Sequence, residues 1–466
     1  MDRLAVDVAV IGAGTAGLAA YRAAVSAGKR AVIIEGGPYG TTCARVGCMP
    51  SKLLIAAAEA AHGPARWQEF GLRLKGEVEV DGAAVMARVR RERDRFVGFV
   101  MAGVEKIPES DRLRGFARFD SDHALLIDSG ARVEFKSAVI ATGSSPSLPA
   151  MLRSIGDRLL INDDIFSWED LPKSVAVFGP GAIGLEIGQS LHRLGVKVLM
   201  FGRDGHVGSF TDPEVREYAR KTFQREFYLD ANGDVQAISV HDDGVSIMYR
   251  DVQGKERRDI VDYVIAAAGR TANVGWLGLE HTSLLLDARG VPLFDRQTMR
   301  CGDSSIFIAG DANNDALVLH EAADEGRIAG DSAASYPRVQ PGLRRARLVI
   351  AFSDPQIAIV GTPYAELPAG GYVMGRVSFE DQGRSRVMLR NQGLMHVYAE
   401  RETGRLLGAE IFGPDAEHLG HLLAWAIQAG FTVHQALDMP FYHPVVEEGM
   451  RTALRDVAVA LRERVA

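Results

Sequence analysis

The chain has 466 residues, 47% of them hydrophobic, enough for about three domains at roughly 150 residues each and for several buried cores. A net charge of −7 excludes a nucleic-acid surface built on basic charge, and no apolar run approaches the ~18 residues that suggest a membrane span. Only three cysteines, Cys43, Cys48 and Cys301, are present, which excludes a disulfide-stapled secreted scaffold. The first strand starts near Val6 and leaves no room for a leader peptide, so the expected location is the cytoplasm, with neither membrane nor nucleic acid as partner.

The first elements are an apolar strand and a glycine turn, VAVIGAGTAG from Val8 to Gly17, then a helix-like segment and a second strand, RAVIIE from Arg30 to Glu35. Gly12, Gly14 and Gly17 form G-x-G-x-x-G between strand and helix. The first glycine permits the tight turn, the second lets backbone approach a pyrophosphate, and the third allows close helix–strand packing. The helix N-terminus then offers its unpaired N–H groups to the phosphates. Glu35 ends the second strand 23 positions beyond Gly12, where an acid can bind ribose hydroxyls. Strand context and the placed acid together predict dinucleotide binding.

Next comes TTCARVGCMPSK, from Thr41 to Lys52, with Cys43 and Cys48 five positions apart. On an undistorted helix such Cα atoms stand about 8–9 Å apart, whereas a disulfide needs roughly 4.4–6.8 Å. A bond between them therefore requires a distorted helix start, for which Gly47 and Pro50 are suited. Such a strained, accessible disulfide is readily reduced, and the helix terminus lowers the pKa of the resulting thiolate. Two buried free cysteines are the structural alternative. A metal site would need further ligands nearby, and none is spaced for it; no metal is expected.

Arg88, Arg90, Arg91, Arg93 and Arg95 fall on a long helix with interspersed acids and read as a solvated face. Then the opening pattern repeats. AVIATG (Ala138–Gly143) has its echo in VIAAAG (Val264–Gly269), and VAVFGPGAIG (Val175–Gly184) with VKVLMF (Val196–Phe201) duplicates the first loop and strand. Gly179, Gly181 and Gly184 are the second glycine set. Counting 23 positions from Gly179 reaches Gly202, followed by Arg203. An acid there would repel a 2′-phosphate and an arginine could tolerate one, while a third glycine leans toward NAD; NAD is preferred and NADP stays open. A third strand–glycine element is IFIAGD (Ile306–Asp311), and Pro337–Arg347 reads as a linker. Strands are expected at 349–360 and 372–379, a hairpin at 394–410 and a helix at 417–429. In FYHPVVEEGM (Phe441–Met450) His443 and Glu448 could form an acid–base dyad, although a histidine beside a proline is by itself more often a loop residue. The fold class is α/β. Two Rossmann-like dinucleotide-binding domains, 1–145 with 271–340 and 146–270, precede an α+β interface domain at 346–466.

Taken together these residues resemble the flavoprotein pyridine nucleotide-disulfide oxidoreductase family. The resemblance runs along essentially the whole chain: GAGTAG at Gly12–Gly17, CARVGCMPSK at Cys43–Lys52, ATGSSP at Ala141–Pro146, GPGAIGLE at Gly179–Glu186, AGD at Ala309–Asp311 and HPVVEE at His443–Glu448. It implies that the first domain binds FAD, with Glu35 on the adenosine ribose and Asp311 near the ribityl chain. Lys52, Ala117, Thr142 and Gly143 would line the same site, Lys52 pairing with Glu186 beside the flavin. The second domain would hold NAD(P) through Gly179, Gly181, Gly184 and Gly269, with Arg203 near its ribose. Cys48 would face the flavin, Cys43 would exchange with substrate, and His443, oriented by Glu448, would be the acid–base catalyst. In this family that histidine serves the partner subunit's disulfide, which implies a homodimer.

LHEAADEG (Leu319–Gly326) resembles the H-x-A-x-x-E-G signature of the branch that oxidises dihydrolipoamide, and the PSK ending of the cysteine block is typical there. The partner implied is a lipoyl-bearing acyltransferase of a 2-oxoacid dehydrogenase complex. Three features depart from the pattern: Ala44 and Arg45 replace leucine and asparagine, Gly202 replaces an acid, and HPVVEE replaces HPTLSE. An NAD(P)H-dependent reductase of another small disulfide is therefore the alternative. A non-catalytic flavoprotein or assembly subunit is the reading of a different class.

Overall fold

Runs such as Val8–Ile11 and Val175–Phe178 are apolar at every position, which suits strands covered on both faces. In the computed structural model, which describes residues 3–462, both lie inside parallel sheets. The chain divides into two units: residues up to Pro50 with Arg90–Ser147 and Arg270–Arg344, and Ser51–Val89 with Leu148–Gly269 and everything from Arg345 onward.

In the first unit, strands Arg112–Arg114, Ala31–Glu35, Arg3–Ile11 and Arg132–Ile140 run parallel in that order, and Ile306–Ile308 joins the last of them in parallel. Ala124–Ile127 and Ala117–Ser121 extend the sheet antiparallel. Side-chain alternation along a strand sends Ala9, Ile11, Val32, Ile34 and Ile140 to one core and Val8, Val10, Ala31, Ile33 and Val139 to the other. Helices Thr15–Ser26 and Leu319–Ser335 cover the second core. Small residues let them touch: a Cβ on Gly326 would stand 2.2 Å from the Ala16 carbonyl oxygen, and one on Gly330 2.4 Å from that of Ala20.

The second unit repeats the device. Strands Tyr228–Asp230, Lys197–Phe201, Ser174–Phe178, Tyr263–Ala266 and Leu159–Leu160 form a parallel sheet. Its faces separate Val175, Val177, Val198 and Met200 from Ala176, Phe178, Leu199 and Phe201. An antiparallel meander, Asp234–His241, Gly244–Arg250 and Glu256–Val261, packs on the latter face. Farther on, five antiparallel strands stand in the order Leu348–Ala351, Gln356–Gly361, Leu406–Gly413, Leu394–Glu400, Tyr372–Ser378. Helices Ala416–Gln428 and Glu447–Arg462 share their core.

One sequence expectation changes. The single strand expected at 349–360 is two antiparallel strands, Leu348 pairing with Val360 and Ala351 with Ile357; the intervening Pro355 has no N–H to continue a ladder. The stretch 337–347 is irregular, as a linker would be. It is nevertheless pinned, because Arg344 donates to Glu325 at 2.7 Å and to Glu321 at 2.9 Å.

Candidate active site

The glycines of the two loops match one for one. Gly12 and Gly179 hold φ of +104° and +114°, and a Cβ on either would lie 2.3 Å from the carbonyl oxygen of Ala141 or Ala267. Gly17 and Gly184 seat the following helix on the turn; their Cβ would be 1.8 Å and 1.9 Å from the carbonyl oxygens of Gly12 and Gly179. Gly14 and Gly181 have nothing within 4 Å. They are the N-caps of helices Thr15–Ser26 and Ala182–Arg193, neither of which carries a side-chain cap. That bare side of each loop is where backbone N–H groups can meet a pyrophosphate. The loops differ at the acid position. Glu35 accepts from Ala13 N and from Gly37 N, each at 2.7 Å, whereas the second loop has Pro180 in the place of Ala13 and Gly202 in the place of Glu35.

The cysteine segment is broken where its spacing demands. Thr41 caps a short helix, Thr42–Val46, which stops at Gly47 (φ −126°, ψ −114°) before a new helix runs from Cys48 to His62. The non-helical residue thus falls between Cys43 and Cys48. Cys43 is half-buried and Cys48 exposed. Cys43 lines a cavity of about 390 Å³ in the first unit with Thr15, Arg22, Phe96, Phe99 and Leu319. Arg22, the one charged side chain among its described lining residues, was not singled out by the sequence. Cys301 is buried, and burial pushes its thiol pKa up.

Behind the first loop, Asp311 accepts from Ser144 Oγ at 2.6 Å, and Arg270 donates to that hydroxyl and to the Ser144 carbonyl, each at 2.7 Å. The Thr142 hydroxyl is buried without a protein partner, next to Gly143 with its φ of +70° and open space around it. Ala117 is buried at the start of its strand. A further residue, silent in the sequence beyond its place in LHEAADEG, is Glu325. It is 0% exposed and accepts from Gly310 N at 2.8 Å and Asn313 Nδ2 at 2.7 Å, while pairing with Arg344. Burial raises its carboxyl pKa, against the pull of Arg344. An orphaned hydroxyl, a bare glycine face and a braced acidic turn are what a dinucleotide flavin needs, so these residues fit FAD.

In the second unit Lys52 Nζ stands 2.9 Å from both carboxylate oxygens of Glu186, which is 7% exposed. Glu186 also accepts from Phe352 N at 2.9 Å, and the Phe352 ring centroid lies 4.5 Å from the ammonium. Gly269 has a φ of +110° with open space about it, and Arg203 is exposed, bonded through Nε to Asp204 at 3.1 Å. His443 Nδ1 is 3.0 Å from both oxygens of Glu448. The His443 side chain is 80% exposed, and its hydrogen bond holds the Glu448 carboxyl below the usual range. Histidine and carboxylate therefore form a dyad open to solvent or to a docked molecule.

Residues 6–326 match the family model described as pyridine nucleotide-disulphide oxidoreductase, and residues 349–454 match that family's dimerisation domain. A dihydrolipoyl dehydrogenase of Bacillus subtilis is 30% identical over 451 residues, covering 95% of this chain and 94% of its own. A mercuric reductase of Shigella flexneri is 29% identical over 476 residues, covering 96% and 80%. Two solved structures share the fold. The HOCl-induced flavoprotein disulfide reductase RclA of Escherichia coli has a TM-score of 0.81 at 20% identity, over 96% of this chain and 99% of that one. LpdA of Mycobacterium tuberculosis has 0.80 at 22% identity, over 98% and 99%.

Proposed function

The chain belongs to the pyridine nucleotide-disulphide oxidoreductase family, with FAD and NAD as cofactors, and on that premise we propose that it oxidises protein-bound dihydrolipoamide to lipoamide through a Cys43–Cys48 redox disulfide. The observation that carries the reading is the helix break at Gly47 between two cysteines, in a chain whose curated relatives include dihydrolipoyl dehydrogenases. FAD would be held by Gly12, Gly14, Gly17, Glu35, Lys52, Ala117, Thr142, Gly143 and Asp311. The nicotinamide dinucleotide would be held by Gly179, Gly181, Gly184, Gly269 and Arg203. When bound, the flavin supplies the two-electron chemistry between thiol pair and nicotinamide.

His443 takes the proton of one substrate thiol, and the resulting thiolate attacks Cys43 Sγ. The Cys43–Cys48 bond breaks and Cys48 leaves as the thiolate. The second substrate thiol gives its proton to the departing Cys43 sulfur as it displaces it, so that lipoamide departs oxidised and both cysteines remain reduced. Glu448 holds the imidazole and stabilises its charged form, while Lys52, anchored by Glu186, would supply a cation to a bound flavin. The active form is a homodimer in which His443 serves the disulfide of the partner subunit. The physiological partner is a lipoyl-bearing acyltransferase. The flavin domain is 1–145 with 271–340, the nicotinamide domain 146–270 and the dimerisation domain 346–466. Among the described residues no helix is long and apolar enough to cross a membrane, and the proposed site of action is the cytoplasm.

Replacing Cys48 with serine should abolish dihydrolipoamide oxidation and leave the flavin bound; turnover at the wild-type rate refutes the scheme. A second reading, reduction of a small anionic disulfide, is favoured by Arg22 in the cavity beside Cys43. Steady-state rates with dihydrolipoamide and NAD⁺, against glutathione disulfide and NADPH, separate the two. A flavoprotein without thiol chemistry would gain no titratable thiols when reduced by NADH.

A further inference from the structure

The internal duplication supplies its own control for nucleotide choice. In the first loop the ribose-binding acid is part of the turn, because Glu35 accepts the Ala13 N–H at 2.7 Å. In the second loop the corresponding residue is Pro180, which has no N–H to give. The acid is missing too, and the backbone shows that it could not return alone. A Cβ on Gly202 would lie 2.8 Å from Pro180 Cγ, 2.9 Å from the Ala231 carbonyl oxygen and 3.0 Å from Ala231 Cα. Gly202 is fixed in that crevice by its own N–H to Asp230 O at 2.6 Å and by its carbonyl accepting from Gly233 N at 3.0 Å.

The residues beyond it complete the contrast. The Arg203 side chain is 92% exposed and meets Asp204 through Nε, while its Nη groups make no hydrogen bond to any described residue. The nearby Asp230 is already engaged, its carboxylate accepting from Asn232 N at 2.9 Å. A guanidinium fork is suited to phosphate. A carboxylate at position 202 would have repelled one.

We infer that the second loop admits a 2′-phosphorylated adenosine, so that the chain uses NADP(H) as well as NAD(H), with the Pro180–Gly202 pair and Arg203 as specificity-determining residues. The inference rests on the nicotinamide site proposed above and deepens it. NAD stays a substrate because the loop still presents its bare Gly181 face to the pyrophosphate.

The test is calorimetric titration of the purified flavoprotein with 2′,5′-ADP and with 5′-ADP, fragments that cannot be reduced. The wild type binds 2′,5′-ADP at least as tightly as 5′-ADP; a preference of about tenfold or more for 5′-ADP, some 1.4 kcal/mol, overturns the inference. Arg203→Ala weakens 2′,5′-ADP about tenfold more than it weakens 5′-ADP, the weight of one charge-assisted hydrogen bond. Equal weakening of both overturns the arginine's role. Pro180→Ala restores the N–H without an acid at 202, where a Cβ would still meet the Ala231 backbone, and keeps the wild-type preference; a preference of about tenfold or more for 5′-ADP in that variant removes the pair from the explanation. Failure of the wild type to bind either fragment would defeat the nicotinamide-site reading itself rather than its specificity.

Discussion

Gly17 shows how strictly single positions are set. Its missing Cβ would stand 1.8 Å from the Gly12 carbonyl oxygen, and backbone cannot swing aside as a side chain can. Gly17→Ala should therefore cost about 1–3 kcal/mol as an overpacking change and lower flavin content, read as thermal unfolding and the flavin-to-protein absorbance ratio. Gly14→Ala, with open space around the residue, should unfold like the wild type yet bind flavin more weakly. The dyad makes a pH prediction. The Glu448 carboxyl is depressed by the His443 hydrogen bond, so the carboxylate persists above the ordinary glutamate value of about 4.3 and is lost only as pH falls through its lower folded value. Glu448→Gln lacks that charge at every pH. Its thiol-oxidation rate at neutral pH should fall by about tenfold or more, and stopped-flow flavin reduction would measure it; an unchanged rate removes Glu448 from the mechanism. The cysteine spacing and the His–Glu spacing were legible in the sequence because each lies within a few residues. Arg22 was not, since only the tertiary fold brings it to the cavity of Cys43.

The helix Leu319–Ser335 does two jobs with two faces. Gly326 and Gly330 admit the neighbouring helix, while Glu321 and Glu325 face Arg344. Glu325 alone also holds Gly310 N and Asn313, the residues flanking the Asp311 turn. Removing one partner of a buried ion pair costs about 3–5 kcal/mol, so Glu325→Ala should be severely destabilised. Glu325→Gln, which retains one oxygen for the Gly310 N–H, should recover most of the flavin affinity. Glu321→Gln should lower stability without changing the flavin dissociation constant, since Glu321 braces Arg344 and not the turn. Equal flavin loss in Glu321→Gln and Glu325→Gln would show that stability alone is being measured. The LHEAADEG motif was legible in the sequence, but the helix it opens and the counterion of its glutamates were not. An ion pair between residues 19 positions apart leaves no periodic trace, and Arg344 sits in a stretch that reads as linker. The split of the expected 349–360 strand has a local cause that the sequence did contain, Pro355, whose missing N–H outweighs the apolar run around it.

At the scale of the molecule, the duplication was the most legible feature, because each parallel strand must be apolar on both faces and each turn must carry its glycines. What sequence pattern leaves out is which side chains of the last module stay open at its surface. The part matched to a dimerisation domain carries Tyr442 at 80% exposure and Trp425 at 67%, and Tyr442 adjoins His443 in the chain. Large aromatic side chains left this open are typical of a surface that another chain covers. A dimer, with each His443 serving the other subunit's disulfide, therefore predicts a sedimentation mass of twice 50.4 kDa. Tyr442→Asp and Trp425→Glu should shift the protein toward the single-chain mass. Such chains should keep their flavin, because the residues proposed to hold it lie far in sequence from both positions, and should lose dihydrolipoamide turnover in proportion to the monomer fraction. A monomer that oxidises dihydrolipoamide at the dimer's rate per flavin would mean that His443 acts within its own chain, and the exposed aromatic surface would then need another occupant.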